Sequence, residues 1–466
     1  MIDTRAAARL NSGFPTPPQR KVTKVIETNQ QYVNWFRHSA PYINAHRGRT
    51  FVIYLPGEAL AHDKFAHTVH DINLLNSLGV KLVLVHGSRP QIQKTCSKSG
   101  IESQFHNGLR ITDLDQLALI QATVGRQAMQ LEARFSMGLA NSPMQGSRIR
   151  TSRGNFITAR PIGVKNGVDF AYTGEVRRVD SEAISKQLDE GNLVLISCLG
   201  YSPTGETFNL AASQVAGRVA ASLQADKLIV FGADKGISNS RGERVVELLT
   251  RAGHRLVHQH QSSGDSWTDL SMHIDVLSKA CDAGVSRGHL LSYQEDGALL
   301  SELFSRDGSG TMVIKESYEQ VRNACIDDVG GILHLIRPLE DDGVLVRRSR
   351  ELLESEIHYF SVIERDGTII GCAALYPFED ARQGELACMA IDSNYRGGDR
   401  GQVLLRHIEK QSSHMGLQAL FVLTTASSHW FIENGFVAAD LAELPTSRQS
   451  LYNFQRSSKV FSKELL

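Results

Sequence analysis

Short apolar runs separated by longer amphipathic stretches occupy the first part of the chain. Four of these runs are rich in Val, Ile, Leu and Phe and have the length of strands: Thr50–Leu55, Lys81–Val85, Leu193–Ser197 and Lys227–Phe231. A helical pattern over Ala66–Leu78 separates the first two runs. Because strands that are apolar throughout are buried on both faces, this pattern predicts an α/β fold, a mostly parallel sheet sandwiched by helices.

The ends of this first region have patterns of their own. Residues 29–45 place apolar side chains at mixed helical spacing, which predicts a short amphipathic helix interrupted by Pro41. Residues 290–304 are expected to form a helix that ends at a glycine-rich turn, with a last strand over 308–314. Residues 1–28 are polar and contain prolines, which indicates a disordered tail, although a basic, Ala-rich transit peptide has a similar composition.

The pattern changes near residues 316–322, which we interpret as a linker. Beyond it, strands joined by short turns precede a single glycine-led helix, which indicates an α+β domain. We therefore expect a tail at 1–28, a first domain at 29–315 and a second domain at 323–466. The elements predicted for the second domain are helices at Val329–Leu339, Arg350–Tyr359 and Gly401–Met415 and strands at Phe360–Glu364, Thr368–Tyr376, Glu385–Ile391 and Ala419–Thr424.

Composition narrows the choice of function. The 466 residues include 50 Lys and Arg against 50 Asp and Glu, so nucleic acid and acidic membrane surfaces are poor candidates for partners. No apolar run approaches the ~18 residues of a membrane span, and the N-terminus lacks a signal-peptide core, so we expect a cytoplasmic protein. The six cysteines form no C-x-x-C pair, which indicates scattered thiols and no metal site.

A Gly- and Arg-rich loop, Arg396-Gly-Gly-Asp-Arg-Gly401, lies between a predicted strand and a predicted helix. Unpaired N–H groups at a helix N-terminus bind phosphate, and arginines add donors, although a helix entry with solvated arginines has the same pattern. The arrangement resembles the coenzyme A loop of the GNAT acetyltransferases, with Asp399 where that family usually has glycine. The segment His429–Phe436 resembles the closing segment of the same family. The resemblance implies that acetyl-CoA contacts Leu386, Cys388, Met389, Ile391, Arg396, Gly397, Gly398, Arg400 and Gly401.

Three segments of the first domain resemble the amino-acid kinase fold, especially acetylglutamate kinases. They are Val52–Gly57, Val85–Arg89 and Asn107–Thr112. Tyr54 stands where that family has its strand lysine, and Ser213 stands where it has a catalytic carboxylate. Phosphoryl transfer depends on positioning and on charged groups that stabilise the transition state. The resemblance therefore implies that the fold is kept and that the kinase chemistry is lost.

A kinase-like domain joined to a GNAT domain resembles the bacterial N-acetylglutamate synthases. The most distinctive matches are residues 36–44, 292–298, 345–350 and 453–460. This resemblance implies transfer of acetyl from acetyl-CoA, as a co-substrate with no bound cofactor, to L-glutamate in the first step of arginine biosynthesis. It also implies a homo-oligomer, a ring of dimers such as a hexamer. Two alternatives stay open, a kinase acting on N-acetylglutamate and a non-catalytic arginine-binding regulator.

Acetyl transfer to an amine needs a proton acceptor, because the amine of glutamate is protonated at pH 7. Glu385 opens the predicted strand beside the thioester, and the resemblance implies that it is the base; a solvated carboxylate at a strand end is the alternative. Thr424 or Thr425 could return a proton to the thiolate. Guanidinium groups suit the two carboxylates of the acceptor. The resemblance implies that these are held by Arg348, Arg456 and Ser458, each arginine having a surface role as its alternative.

The degenerate kinase domain would then be a sensor for L-arginine. The resemblance to arginine-sensitive kinases implies an allosteric site with a carboxylate for the guanidinium and turn carbonyls for its other donors. Inhibition by arginine is expected, with activation as the alternative. A helix-surface charge at position 302, followed by capping glycines, would produce the same sequence. The implied site residues are Tyr42, His289, Glu302, Gly308 and Gly310.

Overall fold

The computed structural model describes residues 33, 35–37, 39–137, 149–239, 241–262, 268–305, 308–315, 319–365, 367–396, 399–450 and 458–465. The chain divides into two compact units, Met1–Glu316 and Ser317–Leu466. The predicted tail at residues 1–28 lies outside the described residues. Each unit has its own sheets and its own apolar cores.

The N-terminal unit is built on an eight-stranded sheet in the order β14-β16-β15-β13-β1-β2-β10-β5. Every neighbouring pair in it is parallel except β15 and β16. A second sheet has the order β12-β11-β6-β9, and two short hairpins complete the strands. The strands are β1 (Thr50–Leu55), β2 (Lys81–His86), β3 (Phe105–His106), β4 (Leu109–Arg110), β5 (Thr151–Ser152), β6 (Ile157–Pro161), β7 (Val164–Lys165), β8 (Val168–Asp169), β9 (Gly174–Val179), β10 (Leu193–Ile196), β11 (Leu199–Tyr201), β12 (Thr207–Asn209), β13 (Lys227–Gly232), β14 (Glu247–Leu249), β15 (Arg287–Ser292) and β16 (Thr311–Ile314).

Helices cover both faces of the large sheet. Val52 and Val83 belong to one apolar core, and Phe51, Ile53 and Leu84 belong to the core on the opposite face. Burial on both faces accounts for the continuous apolar runs, and the predicted α/β class is confirmed. The helices are α1 (39–46), α2 (Gly57–Leu60), α3 (Phe65–Ser77), α4 (Arg89–Lys98), α5 (Leu114–Ser136), α6 (Ser181–Asp189), α7 (Ala212–Leu223), α8 (Thr250–Ser262), α9 (Asp269–Asp282) and α10 (Ala298–Phe304).

Two sequence predictions for this unit are wrong in detail. Helix α1 continues through Pro41. Proline removes one N–H donor from the helix, but the packing of Tyr42 and Ile43 in the apolar core offsets this loss. The predicted helix over 290–304 is a strand followed by a shorter helix, since Leu290 lies in β15. A short apolar run cannot be distinguished from a buried helix by periodicity alone.

The C-terminal unit has a seven-stranded sheet in the order β17-β18-β19-β20-β21-β23-β22, antiparallel except for β20 and β21. Apolar cores lie on both faces of the sheet, under α11 and under α13. This is the α+β arrangement that the sequence predicts. Its elements are β17 (Glu319–Asn323), β18 (Phe360–Arg365), β19 (Thr368–Phe378), β20 (Gln383–Ile391), β21 (Ala419–Thr424), β22 (Val437–Ala438) and β23 (Lys459–Glu464), with helices α11 (Val329–Asp341), α12 (Arg350–Glu356), α13 (Arg400–His414), α14 (Ser428–Glu433) and α15 (Thr446–Gln449).

Strand β17 overlaps the segment that the sequence suggests as a linker, residues 316–322. Val321 pairs with Ile363 across the β17–β18 ladder and packs against the core, so residues 319–322 belong to the second sheet. The polar composition of Glu319–Asn323 hides this strand, which lies at a sheet edge with its polar side chains in ion pairs. Residues 316–318 lie outside the described part of the chain.

Candidate functional site

Strands β20 and β21 diverge in the middle of the C-terminal sheet. Their parallel ladder joins three residue pairs and ends where Glu385 faces Phe421. Strand β20 continues to Ile391, and from Leu386 onward no described residue of β21 pairs with it. The backbone N–H and C=O groups on this side of β20 therefore face a gap between the strands. An extended polar chain lying in that gap would satisfy them as an added strand would.

A β-bulge marks the same stretch of β20. Cys372 pairs with Ala390 and Ala374 pairs with Ala387, so β20 has one residue more than β19 between these pairs. Cys388, within the bulge, has a left-handed backbone conformation with φ of 52°. Such bulges bend a strand and redirect its side chains. Here the bulge falls on the segment that borders the gap.

Glu385, the predicted base, lies at the point where the two strands separate. It is 9% exposed and lies directly opposite Tyr376 on β19. Arg448 on α15 donates two hydrogen bonds to its carboxylate, from Nε to Oε2 at 2.6 Å and from Nη2 to Oε1 at 2.9 Å. Sequence reasoning missed Arg448, because the contact joins residues 63 positions apart and no motif contains it.

Arg348, predicted to hold the acceptor, is half-buried against the same face of β19 and β20. Burial opposes its charge, yet the Cys388 thiol and the Tyr376 hydroxyl raise the pKa of the guanidinium above its ordinary value. The Tyr376 hydroxyl in turn donates to Oε2 of Glu356 at 2.6 Å. Tyr376 lies opposite Glu385 and also contacts Arg348. One face of the sheet therefore carries the Glu385 carboxylate and the Arg348 guanidinium, with Tyr376 between them. No sequence motif contains Tyr376 or Glu356 as a site residue.

The Cys388 thiol belongs to this group of side chains. A hydrogen bond from the Cys372 thiol, opposed by burial and helped by the charge of Arg348, lowers the pKa of Cys388. Both sulfurs are unpaired thiols inside the core between the sheet and α11. Arg348 therefore lies close enough to Cys388 on β20 for each group to shift the pKa of the other.

Thr424 and Ser458 come together at the end of β21. Thr424 pairs with Lys459, the first residue of β23, and Ser458 immediately precedes it. The Thr424 hydroxyl accepts a hydrogen bond from the backbone N–H of Ser427 at 3.1 Å. Arg456, the other residue predicted to bind the acceptor, lies outside the described residues. The end of β21 therefore carries hydroxyl groups three residues beyond the point where the strands separate.

The predicted phosphate loop leads into helix α13. Asp399 precedes the helix without capping it by a side-chain hydrogen bond. A Cβ on Gly401 would lie 3.0 Å from Cζ2 of Trp430, so glycine allows helix and indole to pack closely. Arg400 is engaged by the carboxylate of Glu319 at 2.6–2.9 Å, so a role in binding phosphate requires this pair to open. Within the described part of the chain, the exposed Arg396 donates to the carbonyl of Ile391, and Gly397 and Gly398 lie outside the described residues.

In the N-terminal unit, the residues of the predicted arginine site converge on one buried carboxylate. Glu302 accepts hydrogen bonds from His289 Nδ1 at 2.6 Å and from the backbone N–H groups of Ser309 and Gly310 at 2.7 and 2.9 Å. A Cβ on Gly308 would lie 2.4 Å from Oε2 of Glu302, so the turn closes over this carboxylate. Tyr42 packs in the apolar core formed with the other side of α10. The alternative of a helix-surface charge at Glu302 is therefore wrong, since its side chain is 6% exposed.

The charge at this site lies on Glu302. Burial alone raises its pKa, but the hydrogen bonds from His289 and from the turn amides outweigh burial and bring the pKa of Glu302 to about 2. Burial and the neighbouring Lys227 lower the pKa of His289. A neutral His289 that donates from Nδ1 leaves Nε2 as an acceptor, and Lys227 Nζ lies 3.4 Å from it. Glu302 is thus an anion held by the turn amides and His289, with the buried Lys227 on the far side of His289.

The site that a kinase would use has Tyr54 in place of the strand lysine. Tyr54 is buried with its ring against His273, and its hydroxyl would lie 3.4 Å from a Cβ on Gly87. Burial raises the pKa of this phenol, which is therefore neutral. Asn209 donates to the Thr112 hydroxyl at 3.0 Å in a buried polar network. A neutral aromatic ring thus fills the position of the lysine that phosphoryl transfer would need.

The described residues hold no group of three or more His, Cys, Asp or Glu side chains that could bind one metal ion. None of the helices described here combines the length and the apolar character that crossing a bilayer requires.

Both domains match known families. Residues 49–290 match the amino acid kinase family, and residues 332–436 match the acetyltransferase (GNAT) family. A crystal structure of N-acetylglutamate synthase from Neisseria gonorrhoeae, complexed with coenzyme A and L-arginine, superposes with a TM-score of 0.84 at 37% identity. That match covers 93% of this chain and 99% of the other.

Two bacterial proteins are more similar in sequence. The amino-acid acetyltransferase of Azotobacter vinelandii is 54% identical over 436 residues, which cover 94% of this chain and all of the relative. That of Pseudomonas fluorescens is 55% identical over 435 residues, with 93% and 100% covered. Identity of this extent, together with the two matched domains, means that the chain belongs to the amino-acid acetyltransferase family, whose members join an amino-acid kinase domain to a GNAT acetyltransferase domain.

Proposed function

We propose that this protein is an N-acetylglutamate synthase, which transfers the acetyl group of acetyl-CoA to the amine of L-glutamate and is inhibited by L-arginine. The observation that carries the proposal is the position of Glu385. A buried carboxylate lies where β20 and β21 separate, on the face that also holds Arg348. A thioester in the gap would thus have a proton acceptor and a carboxylate-binding group beside it.

In this proposal coenzyme A follows the free side of β20. The pantetheine arm would pair with backbone groups between Leu386 and Ile391, and the pyrophosphate would lie at the start of α13. The glutamate amine then attacks the thioester carbonyl, and Glu385 accepts the proton that the amine loses. The tetrahedral intermediate collapses with release of the coenzyme A thiolate, and the Thr424 hydroxyl would relay to this thiolate the second proton that the nitrogen loses. Arg348, Arg456 and Ser458 would hold the two carboxylates of the acceptor.

One assay separates this function from its alternatives. Thiol release from acetyl-CoA is measured with L-glutamate, with and without L-arginine, beside a reaction that contains ATP and N-acetylglutamate. The synthase requires glutamate-dependent thiol release that arginine reduces. Phosphorylation of N-acetylglutamate would favour the kinase instead, and arginine binding without thiol release would favour a non-catalytic regulator. The homo-oligomer and the cytoplasmic location stay predictions.

The effector site is proposed around Glu302. Arginine would approach the turn that closes on this carboxylate, where Gly308 and Gly310 would supply carbonyl groups, and Tyr42 stays a predicted member of the site. Because Glu302 already binds His289 and the amides of the turn, a guanidinium would have to share or replace these contacts. Strand β16 begins at Thr311, directly after Gly310. Binding at the turn would therefore act on the last strand before the second unit.

We expect Glu302→Ala to raise the arginine concentration for half-inhibition by ~10–150-fold, because one charge-assisted pair contributes about 1.5–3 kcal/mol. Acetyl transfer without arginine should stay near that of the wild type, since Glu302 lies in the N-terminal unit. The measurement is an arginine titration at fixed glutamate and acetyl-CoA. Glu295→Ala, which removes a carboxylate in a 3.9 Å contact with Lys235, is the matched control. Titration curves of Glu302→Ala and wild type that overlap would rule out the site.

A further inference from the structure

Arg348, which would bind a carboxylate of the acceptor, has a carboxylate of its own chain nearby. Although burial opposes its charge, the guanidinium has a raised pKa, and the half-buried Glu356 at the end of α12 is one of the groups that raise it. Arginine and carboxylate groups in such settings commonly join in a two-point pair. These two described side chains form no such pair, and Glu356 instead accepts a hydrogen bond from the Tyr376 hydroxyl at 2.6 Å.

The Tyr376 hydroxyl contacts both the anion and the cation. A phenol has one proton to donate and lone pairs that accept. Burial and the bond to Glu356 raise the pKa of Tyr376, so the phenol is neutral and directs its single proton at Glu356. Its lone pairs are then left for Arg348, whose N–H groups can only donate and whose charge acts to lower the pKa of the phenol. The hydroxyl therefore separates the guanidinium from the carboxylate of Glu356.

The surroundings fix both the tyrosine ring and the backbone that carries Arg348. Tyr376 lies in β19, and its ring centroid is 5.0 Å from that of Tyr359. The backbone N–H of Arg348 donates to Oε1 of Glu340 at 3.0 Å, and its Nη1 donates to the carbonyl of Val346 at 3.3 Å. The phenol oxygen is thus a fixed point beside the remaining part of the guanidinium. A phenylalanine at this position would keep the packing and remove the oxygen.

We propose that Tyr376 is a positioning residue for the acceptor, whose hydroxyl keeps Arg348 apart from Glu356 so that the guanidinium stays available to a substrate carboxylate. This proposal rests on the proposed function. Without the hydroxyl, Arg348 would pair with Glu356, and the acceptor would have to break that partly buried pair in order to bind. Because Tyr376 also lies opposite Glu385, the same ring keeps the guanidinium on the face that carries the proposed base.

Tyr376→Phe tests this proposal through a difference between the two substrates. We expect the KM for glutamate to rise at least ~10-fold, because the guanidinium changes its partner, while the KM for acetyl-CoA stays within about twofold. In the Arg348→Ala background the same substitution should cost less than about twofold in kcat/KM for glutamate, since its effect acts through Arg348. A merely structural loss would lower activity with both substrates and in both backgrounds. The measurement is initial rates of thiol release with each substrate varied.

A second variant removes the competing carboxylate. Tyr376→Phe combined with Glu356→Gln should return the KM for glutamate to within about threefold of the wild type, because no anion of the chain then competes for Arg348. This double variant leaves no carboxylate without its donor, so it gives an answer even if Tyr376→Phe alone folds poorly. Tyr359→Phe is the matched control, since it removes a phenol oxygen from the adjacent ring and should leave both KM values unchanged.

Three results would overturn the proposal: an unchanged KM for glutamate in Tyr376→Phe, an equal loss in the Arg348→Ala background, or a double variant whose KM for glutamate stays raised. The proposed function would survive each of them as long as the wild type makes N-acetylglutamate. A wild type that makes none would instead contradict the proposed function itself, before any variant is compared.

Discussion

Glu385→Gln will lower kcat for acetyl transfer by ~10²–10⁴-fold while the KM for acetyl-CoA stays near its wild-type value. The substitution keeps the shape of the side chain and removes the proton acceptor. Because Glu385 lies at the end of the β20–β21 ladder, the change leaves the free backbone of β20 available to coenzyme A. The measurement is steady-state thiol release at saturating glutamate, with acetyl-CoA varied.

Glu379→Gln is the control for this experiment. Glu379 lies in the exposed turn between β19 and β20, so its substitution changes the same charge outside the gap. Coenzyme A binding measured by calorimetry should be similar in both variants and in the wild type. If kcat of the Glu385→Gln variant stayed within threefold of the wild-type kcat, Glu385 would not be the base.

Arg348→Ala will lower kcat/KM for glutamate by about 2–4 kcal/mol, or roughly 30–900-fold, because a desolvated carboxylate loses its partner. The KM for acetyl-CoA should change little, since Arg348 lies on the β19 side of β20 and not in the gap. Arg348→Lys keeps the charge but not the planar fork, so its activity should lie between the two. Initial rates with glutamate and with acetyl-CoA varied separate these effects.

Arg347→Ala is the neighbouring control. Its guanidinium is 80% exposed and pairs with Asp341 at 2.8 Å, a surface pair that contributes little. Normal glutamate kinetics in Arg348→Ala would mean that the acceptor carboxylates bind elsewhere. Arg456→Ala, expected to have an effect like that of Arg348→Ala, would then show whether the second predicted arginine binds them.

Local sequence patterns predicted most of the fold. The buried strands β1 and β2 and the helix α13 can each be recognised from their own residues alone, because burial determines which of their positions are apolar. Strand β17 is not predicted from the sequence, because its side chains are polar and form ion pairs with distant residues. Leu290 falls in a predicted helix because a short apolar run such as Leu290-Leu291 fits either element. Tertiary pairing, which decides both cases, is absent from local patterns.

The candidate site was predictable only in part. Glu385 and Arg348 could be named because they belong to motifs, and the structure places both on one face of the second sheet. Their partners could not be named, since Arg448 and Tyr376 reach them from segments far along the chain. Glu302 shows the same limit, because the sequence cannot tell a surface carboxylate from one enclosed by a turn.

The extra residue in the bulge of β20 has a consequence for protein engineering and for evolution of this strand. Successive residues of a strand point to opposite faces, so each inserted or deleted residue exchanges the faces of all that follow. Cys388 is the exception, because it is the extra residue of the bulge: deleting it would leave Met389 opposite Ala373 on its present face but would remove the bend beside the gap. Variation in length is therefore tolerable in the turn before Gln383 but not between Glu385 and Ile391. Libraries built on this domain should vary residue identity in that strand and keep its length constant.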